Sequence, residues 1–181
     1  MGVDYYKRGN WNKKDDYYTP KILVEPIIKY IPAGSVVWCP FDEVHSEFVI
    51  CLKAAGFEVL NSHINGGLDF FKYEPEGYDV IISNPPYSKK KEVFQRLFEL
   101  KKPFAMVMGL PILNYQEVGS FFFEHQEEGR GLQLLVVDKK VSFDGNTASF
   151  NSSYFCFNLL PRGLIFHHLT HNNSNKKFGV E

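Results

Sequence analysis

From Ser35 onward the apolar positions switch between two periods along the chain. Ser35 to Cys39 is a short continuous apolar run of the kind that forms a buried strand. Glu43 to Ala55 carries Val44, Phe48, Val49, Leu52 and Ala55 at helical spacing, with Gly56 placed to cap it. Strand spacing returns at Phe57 to Ile64 and at Tyr78 to Ser83, separated by the turn Asn65-Gly66-Gly67 and a short helical turn at Leu68 to Phe71. A helix follows over Lys89 to Leu100, with Val93, Phe94, Leu97, Phe98 and Leu100 on one face. Phe104 to Met108 reads as a strand, Tyr115 to His125 as a helix and Leu132 to Val137 as another strand. Ser153 to Phe157 and Leu164 to His168 read as a closing antiparallel hairpin.

Upstream, Thr19 and Pro20 suit the N-cap and first helical position of a helix with Ile22, Leu23, Ile27 and Ile28 as its apolar residues. Pro26 bends or shortens that helix, and Pro32-Ala33-Gly34 ends it. The alternation of strands and helices over residues 35 to 137 predicts a Rossmann-like α/β fold: a mostly parallel twisted sheet, helices on both faces and the hairpin at its end. The organisation expected is an N-terminal arm over 1–18, one domain over 19–170 and a polar tail over 171–181.

Composition narrows the class. The 181 residues are 44% hydrophobic and 16% aromatic, with 17 Phe and 10 Tyr, which excludes a disordered chain. The net charge of −1 gives no global basic footprint, so any contact with a polyanion must be local. Cys39, Cys51 and Cys156 are an odd number and widely spaced, which argues for a reduced, cytoplasmic setting. No apolar run approaches the roughly 20 residues needed to span a bilayer, and a membrane partner is not expected. His167, His168 and His171 lack companions at ligand spacing, so no metal is expected.

The most informative segment is Asn84-Pro85-Pro86-Tyr87, placed directly after the apolar run Asp79 to Ser83. Two prolines fix φ and remove two backbone donors, so the Asn84 side-chain oxygen and the Pro85 carbonyl stay available as acceptors in a stiff turn. Aimed at a conjugated NH2 group, such acceptors pull the nitrogen toward tetrahedral geometry and turn its delocalised lone pair outward as a nucleophile. Tyr87 adds a flat face for a base taken out of its stack. Ser88 and the run Lys89-Lys90-Lys91 follow at a helix start, where positive charge opposes the helix dipole unless phosphates arrive there. An ordinary solvated lysine run accounts for them equally well.

These residues resemble the amino-methyltransferases that use S-adenosylmethionine, in particular the adenine-N6 DNA methyltransferases of phage or mobile-element type. The resemblance covers roughly residues 16 to 158. It places Asp79 to Tyr87 at the loop after the family's fourth strand, making Asn84, Pro85, Pro86 and Tyr87 the catalytic segment. It makes Tyr18-Thr19-Pro20 similar to the element touching the methionine end of the cofactor. Asp69 and Phe70 then correspond to the family's Asp-Phe pair after the third strand, on the cofactor's adenine ring. Val141-Ser142-Phe143 through Tyr154-Phe155 resembles a late hairpin near the target base, with Phe143 and Phe150 as candidates for stacking there, although core packing suits both rings better. Ser88 and Lys89 to Lys91 join them on the substrate side.

The family's Asp-Pro-Phe-x-Gly-x-Gly segment is matched here by Cys39-Pro40-Phe41-Asp42-Glu43-Val44-His45. Pro40, Phe41 and Asp42 are therefore the expected cofactor contacts, Asp42 replacing the missing leading acid, while Glu43 and His45 stand where glycines would be. The acid expected after the second strand is absent from Asn61-Ser62-His63. What the resemblance implies is methyl transfer to the adenine amino group in nucleic acid, DNA before RNA, with short loops, a partner chain or a homo-oligomer supplying target recognition. Two alternatives stay open: methylation of a protein glutamine amide, and a non-catalytic module of the same shape that binds nucleic acid or protein.

Overall fold

The computed structural model describes residues 18–126, 131–143 and 149–169. Most of the arm, the tail and the side chain of Phe150 lie outside them.

Nine strands and four helices follow in chain order among the described residues. They are α1 (Lys21–Ile28), β1 (Val36–Cys39), α2 (Glu47–Ala54), β2 (Glu58–Asn61), β3 (Val80–Ser83), α3 (Lys90–Leu100), β4 (Phe104–Gly109), α4 (Gln116–Glu124), β5 (Gln133–Val137), β6 (Val141–Ser142), β7 (Ser149–Phe150), β8 (Ser152–Phe157) and β9 (Leu164–His167). Seven strands form one sheet in the order β2-β1-β3-β4-β8-β5-β9, and β6 pairs with β7 apart from it. β2, β1, β3 and β4 run parallel, β8 is antiparallel to both of its neighbours, and β9 is parallel to β5.

The period of two along each strand divides the core into two layers. Val37, Cys39, Val80, Ile82, Ala105, Val107, Tyr154 and Cys156 face α1 and α2, in a mostly aliphatic layer. Trp38, Ile81, Phe104, Met106, Met108 and Phe155 face the other way, joined by Val93, Phe94, Leu97 and Phe98 of α3 and Val118 and Phe122 of α4. That second layer absorbs much of the aromatic content. Phe98 alone meets Phe104, Phe122 and Phe157 edge-on, with ring centroids at 5.5, 5.4 and 5.1 Å. All three cysteines are free and buried. No helix among the described residues is long and apolar enough to cross a membrane.

Three expectations need correction. β8 and β9 are not a hairpin, because β5 lies between them. The burial of β8 on both faces explains why: from Ser152 to Cys156 every residue is buried, a demand that only a central position meets. β9 buries Ile165 but exposes Leu164 and Phe166, as an edge strand does. The third strand of the resemblance is also not formed. Between Asn61 and Val80 the described chain makes only a 3-10 turn at Ile64–Gly66, so β2 is an edge and the Asn84 loop follows the third strand in chain order. Finally, α1 starts one residue later than expected, with Pro20 at the N-cap and Thr19 buried.

The central antiparallel strand is tied to the first helix by a long-range bond. The buried Tyr154 hydroxyl donates to the Leu23 carbonyl oxygen at 2.8 Å, across 131 residues of chain. Tyr154→Phe deletes this bond while keeping the ring, and should lower stability by about 0.5–1.5 kcal/mol. A lower urea midpoint at unchanged m-value in equilibrium unfolding is the expected reading.

Candidate functional site

The topology opens one crevice at the carboxyl ends of the strands. From β1 the chain turns outward through α2 to β2, then returns to β3 on the other side of β1. Loops leaving β1 and β3 therefore part in opposite directions. In open α/β sheets such a switch point is where ligands bind. The loop after β1 is Pro40 to Ser46 and the loop after β3 begins at Asn84, so the two segments marked in the sequence converge here.

A buried carboxylate joins them. The Ser83 hydroxyl, at the tip of β3, donates to Asp42 Oδ2. The Asp42 amide donates to the Ser62 carbonyl at 3.1 Å, and Asn61 Nδ2 donates to the Asp42 carbonyl at 3.2 Å. Asp42 thus ties the tips of β1, β2 and β3 together and is only 6% exposed. Burial pushes its carboxyl up to about 6, against the pull of the Ser83 and Ser46 hydroxyls. With its side chain spent on this brace, Asp42 shapes the crevice from beneath.

Half-buried Phe41 stands beside it, with Phe70 behind it in the core, 2% exposed, at 4.8 Å between ring centroids, and Phe70 in turn packs on Trp38 at 5.5 Å. Pro40 is buried beneath the same loop. Asp69 is held by its own turn: the Phe71 amide donates to Asp69 Oδ1 at 3.0 Å, and Lys72 Nζ lies 4.0 Å from Oδ2. The Tyr18 hydroxyl lies 3.4 Å from His45 Nε2, which brings the segment before α1 onto the loop after β1. Thr19 is buried and Pro20 half-buried.

Beyond β3, Pro85 and Pro86 are buried, Asn84 and Tyr87 are half-buried, and the side-chain oxygen of Asn84 is shielded from solvent. Burial raises the Tyr87 phenol above its ordinary range, with the Ser152 hydroxyl pulling the other way. Tyr87 and Lys90 line a cleft of about 390 Å³ together with Met108, Gly109, Pro111, Ile112, Tyr115 and Asn151. Its size falls in the range of small-molecule sites, about 300–1,000 Å³. Pro111, Ile112, Tyr115 and Asn151 are lining residues that the sequence did not single out. Their signal was position, since they flank the ends of β4 and β8 that meet this loop.

The lysine run finds local partners. Lys89 Nζ lies 3.4 Å from Glu92 Oε1 and Lys91 Nζ 3.4 Å from Glu117 Oε1. Lys90 Nζ sits 4.4 Å above the centre of the Tyr115 ring. These pairs relieve the conflict with the helix dipole, and a 3-10 turn at Tyr87–Lys89 separates the loop from α3. Ser88 is exposed. Phe143 is 9% exposed and packs in the aliphatic layer with Val141, away from this cleft's lining. His168 pairs with Asp138 beside β9, and no group of metal-ligating residues occurs among the described residues.

No family model matches the sequence, and no curated protein matches it. Solved structures do resemble it. A protein described as a modification subunit of a type I restriction enzyme, from Vibrio vulnificus YJ016, superposes with a TM-score of 0.55 at 12% identity, over 92% of this chain and 49% of that one. This chain therefore spans about half the length of that relative. A protein-(glutamine-N5) methyltransferase from Alicyclobacillus acidocaldarius gives 0.42 at 16% identity, over 75% and 90% of the two chains. A class I S-adenosylmethionine-dependent methyltransferase from Listeria monocytogenes gives 0.45 at 9% identity, over 82% and 62%. The fold is the Rossmann-like methyltransferase fold, with a mostly parallel seven-stranded sheet.

The buried Asp42 makes stability depend on pH. Its carboxyl titrates near 6 when folded against 3.8 ordinarily, so the folded state holds the proton more tightly. The protonated contribution is complete below about 4 and is lost as pH rises through about 6. Asp42→Asn removes this dependence and should gain on the wild type across that window, by up to about 3 kcal/mol, with no further gain at higher pH. Paired urea titrations from pH 4 to 8 measure the difference directly.

Proposed function

We propose that this chain is a methyltransferase that moves the methyl group of S-adenosylmethionine to the exocyclic amino group of adenine in DNA. The observation that carries the reading is the convergence at one switch point of an aromatic-walled crevice and a stiff Asn-Pro-Pro-Tyr turn, with a nucleotide-sized cleft opening against its tyrosine.

The crevice has the chemistry the cofactor needs. Phe41, backed by the buried Phe70, offers an apolar face for a planar ring, the Asp69 carboxylate stands next in sequence to Phe70, and Tyr18 reaches the loop after β1 from the α1 side. Bound there, S-adenosylmethionine supplies an electrophilic methyl group on a sulfonium. The remaining chemistry belongs to the chain. Asn84 Oδ1 and the Pro85 carbonyl would accept hydrogen bonds from the two N–H groups of the amine, in surroundings shielded from water, where a fixed dipole acts more strongly than in solvent, and one of those protons leaves to solvent once the methyl group is on the nitrogen. The buried prolines keep those oxygens from turning away. Tyr87 stacks on the base, and Lys90 held over Tyr115 places one positive charge at the rim of the cleft, suited to a flanking phosphate.

Wild-type protein incubated with DNA, RNA and glutamine-bearing peptides, followed by mass spectrometry of nucleosides and residues, should yield N6-methyladenine from DNA. Asn84→Ala should lower that yield by about 10²–10³-fold while leaving the melting temperature within a few degrees. Product at wild-type levels in the variant, or methyl groups found only on glutamine, would refute the assignment. Tyr115→Ala should raise KM for an oligonucleotide several-fold, with kcat within about twofold, because it removes a cation–π support rather than a reacting group.

A further inference from the structure

We propose that β9 is the edge through which two copies of this chain pair, antiparallel to one another about a two-fold axis at Ile165. The strand ends the sheet, and no strand lies beyond it among the described residues. Native edge strands are commonly guarded by charge, proline or a bulge. The other edge follows that rule, since β2 opens on the exposed Glu58. β9 does not: Leu164-Ile165-Phe166-His167 carries no acid, lysine or proline, and it leaves Leu164 50% and Phe166 73% exposed.

The register of a second copy follows from the groups that β5 leaves unused. The Leu134 and Asp138 amides donate to the carbonyls of Gly163 and His167 at 2.8 and 3.1 Å, so the odd-numbered residues turn their main-chain groups toward β5. Leu164 and Phe166, between them, turn theirs outward. When Leu164 stands opposite Phe166 of the second copy, every one of these outward N–H and C=O groups finds a partner within the strand. The same register lays each Leu164 side chain against a Phe166 ring on one face of the joined sheet. Ile165, 6% exposed and seated in the aliphatic layer, stays inside its own core.

Charge favours a second copy over an unrelated strand. In this register Arg162 falls opposite His168 of the second copy. His168 is ion-paired with Asp138, whose Oδ1 accepts from the Leu169 amide at 2.9 Å. Arg162, Asp138 and His168 are all exposed. Each end of the pairing thus brings a guanidinium to a carboxylate, and the edge complements itself in main chain, apolar side chains and charge. β4, β8 and β5 separate it from β3, which keeps the Asn84 turn clear of the contact. The pairing does not depend on which reaction the crevice supports.

Sedimentation velocity of the full chain over a concentration series up to about 100 µM is the experiment. The contact is small, so wild type should show a monomer–dimer equilibrium with a Kd on the order of 10 µM. Phe166→Lys, at an exposed position, should keep the melting temperature and raise that constant by about tenfold or more. Arg162→Asp and Asp138→Lys each set like charges together at both ends and should weaken pairing several-fold. Mixing those two variants should restore it, because both ends of the mixed pair join opposite charges. Wild type that stays monomeric at about 100 µM, with the edge covered by residues 170–181 or kept for another protein, would overturn the proposal. So would undiminished pairing of Phe166→Lys, or a mixture that associates no better than its components.

Discussion

One buried carboxylate sets the geometry of the site. At the switch point the loops after β1 and β3 leave in opposite directions, and sheet hydrogen bonds no longer hold them once the strands end. Asp42 and Ser83, 41 residues apart, close that gap. A carboxylate taken out of water costs several kcal/mol unless donors surround it. Here the Ser83 and Ser46 hydroxyls offset part of that cost, and the raised titration point records what is left. The crevice thus has a rigid floor, from which the Asn84 turn projects.

The two core layers support this arrangement unequally. The aliphatic layer on the α1 and α2 side fills space with side chains of modest size, whereas the aromatic layer reaches the crevice itself. Trp38 in β1 packs on Phe70, and Phe70 on Phe41, so the wall of the site is a continuation of the core. Edge and tilted ring contacts of this kind resist sliding, because each ring is seated against the face or edge of the next. The Pro85-Pro86 turn is anchored by the burial of both prolines and by the Lys89 amide, which donates to the Pro86 carbonyl at 3.1 Å.

Much of the architecture was legible along the chain. Buried strands announced themselves as apolar runs at β1, β3 and β4, and α3 by its stripe of Val93, Phe94, Leu97 and Phe98. The stiff turn at Asn84 followed from two prolines, whose effect is local. Partner choice was less legible. Nothing near Ser152 specifies that it should pair between β4 and β5, although a strand with so few outward polar positions already implied a central place. The resemblance put its Asp-Phe segment at Asp69 and Phe70, but the strand expected before it gave way to a turn. Phe143, by its residue type, suited either a base or the core, and packing assigned it to the core.

The chain by itself determined the periodicities, the fold class and the stiffness of the Asn84 turn, since each depends on residues within a few positions of one another. Tertiary structure decided strand order and the direction in which each polar side chain is spent. Asp42, suggested by sequence as a ligand group, became a brace because Ser83 arrived beside it. Glu43, suggested as the loss of a glycine, was spent on Asn65 and His63 because parallel pairing carries the loop after β1 to the tip of β2. Such outcomes require contacts between distant segments, whose closure entropy only the assembled core offsets.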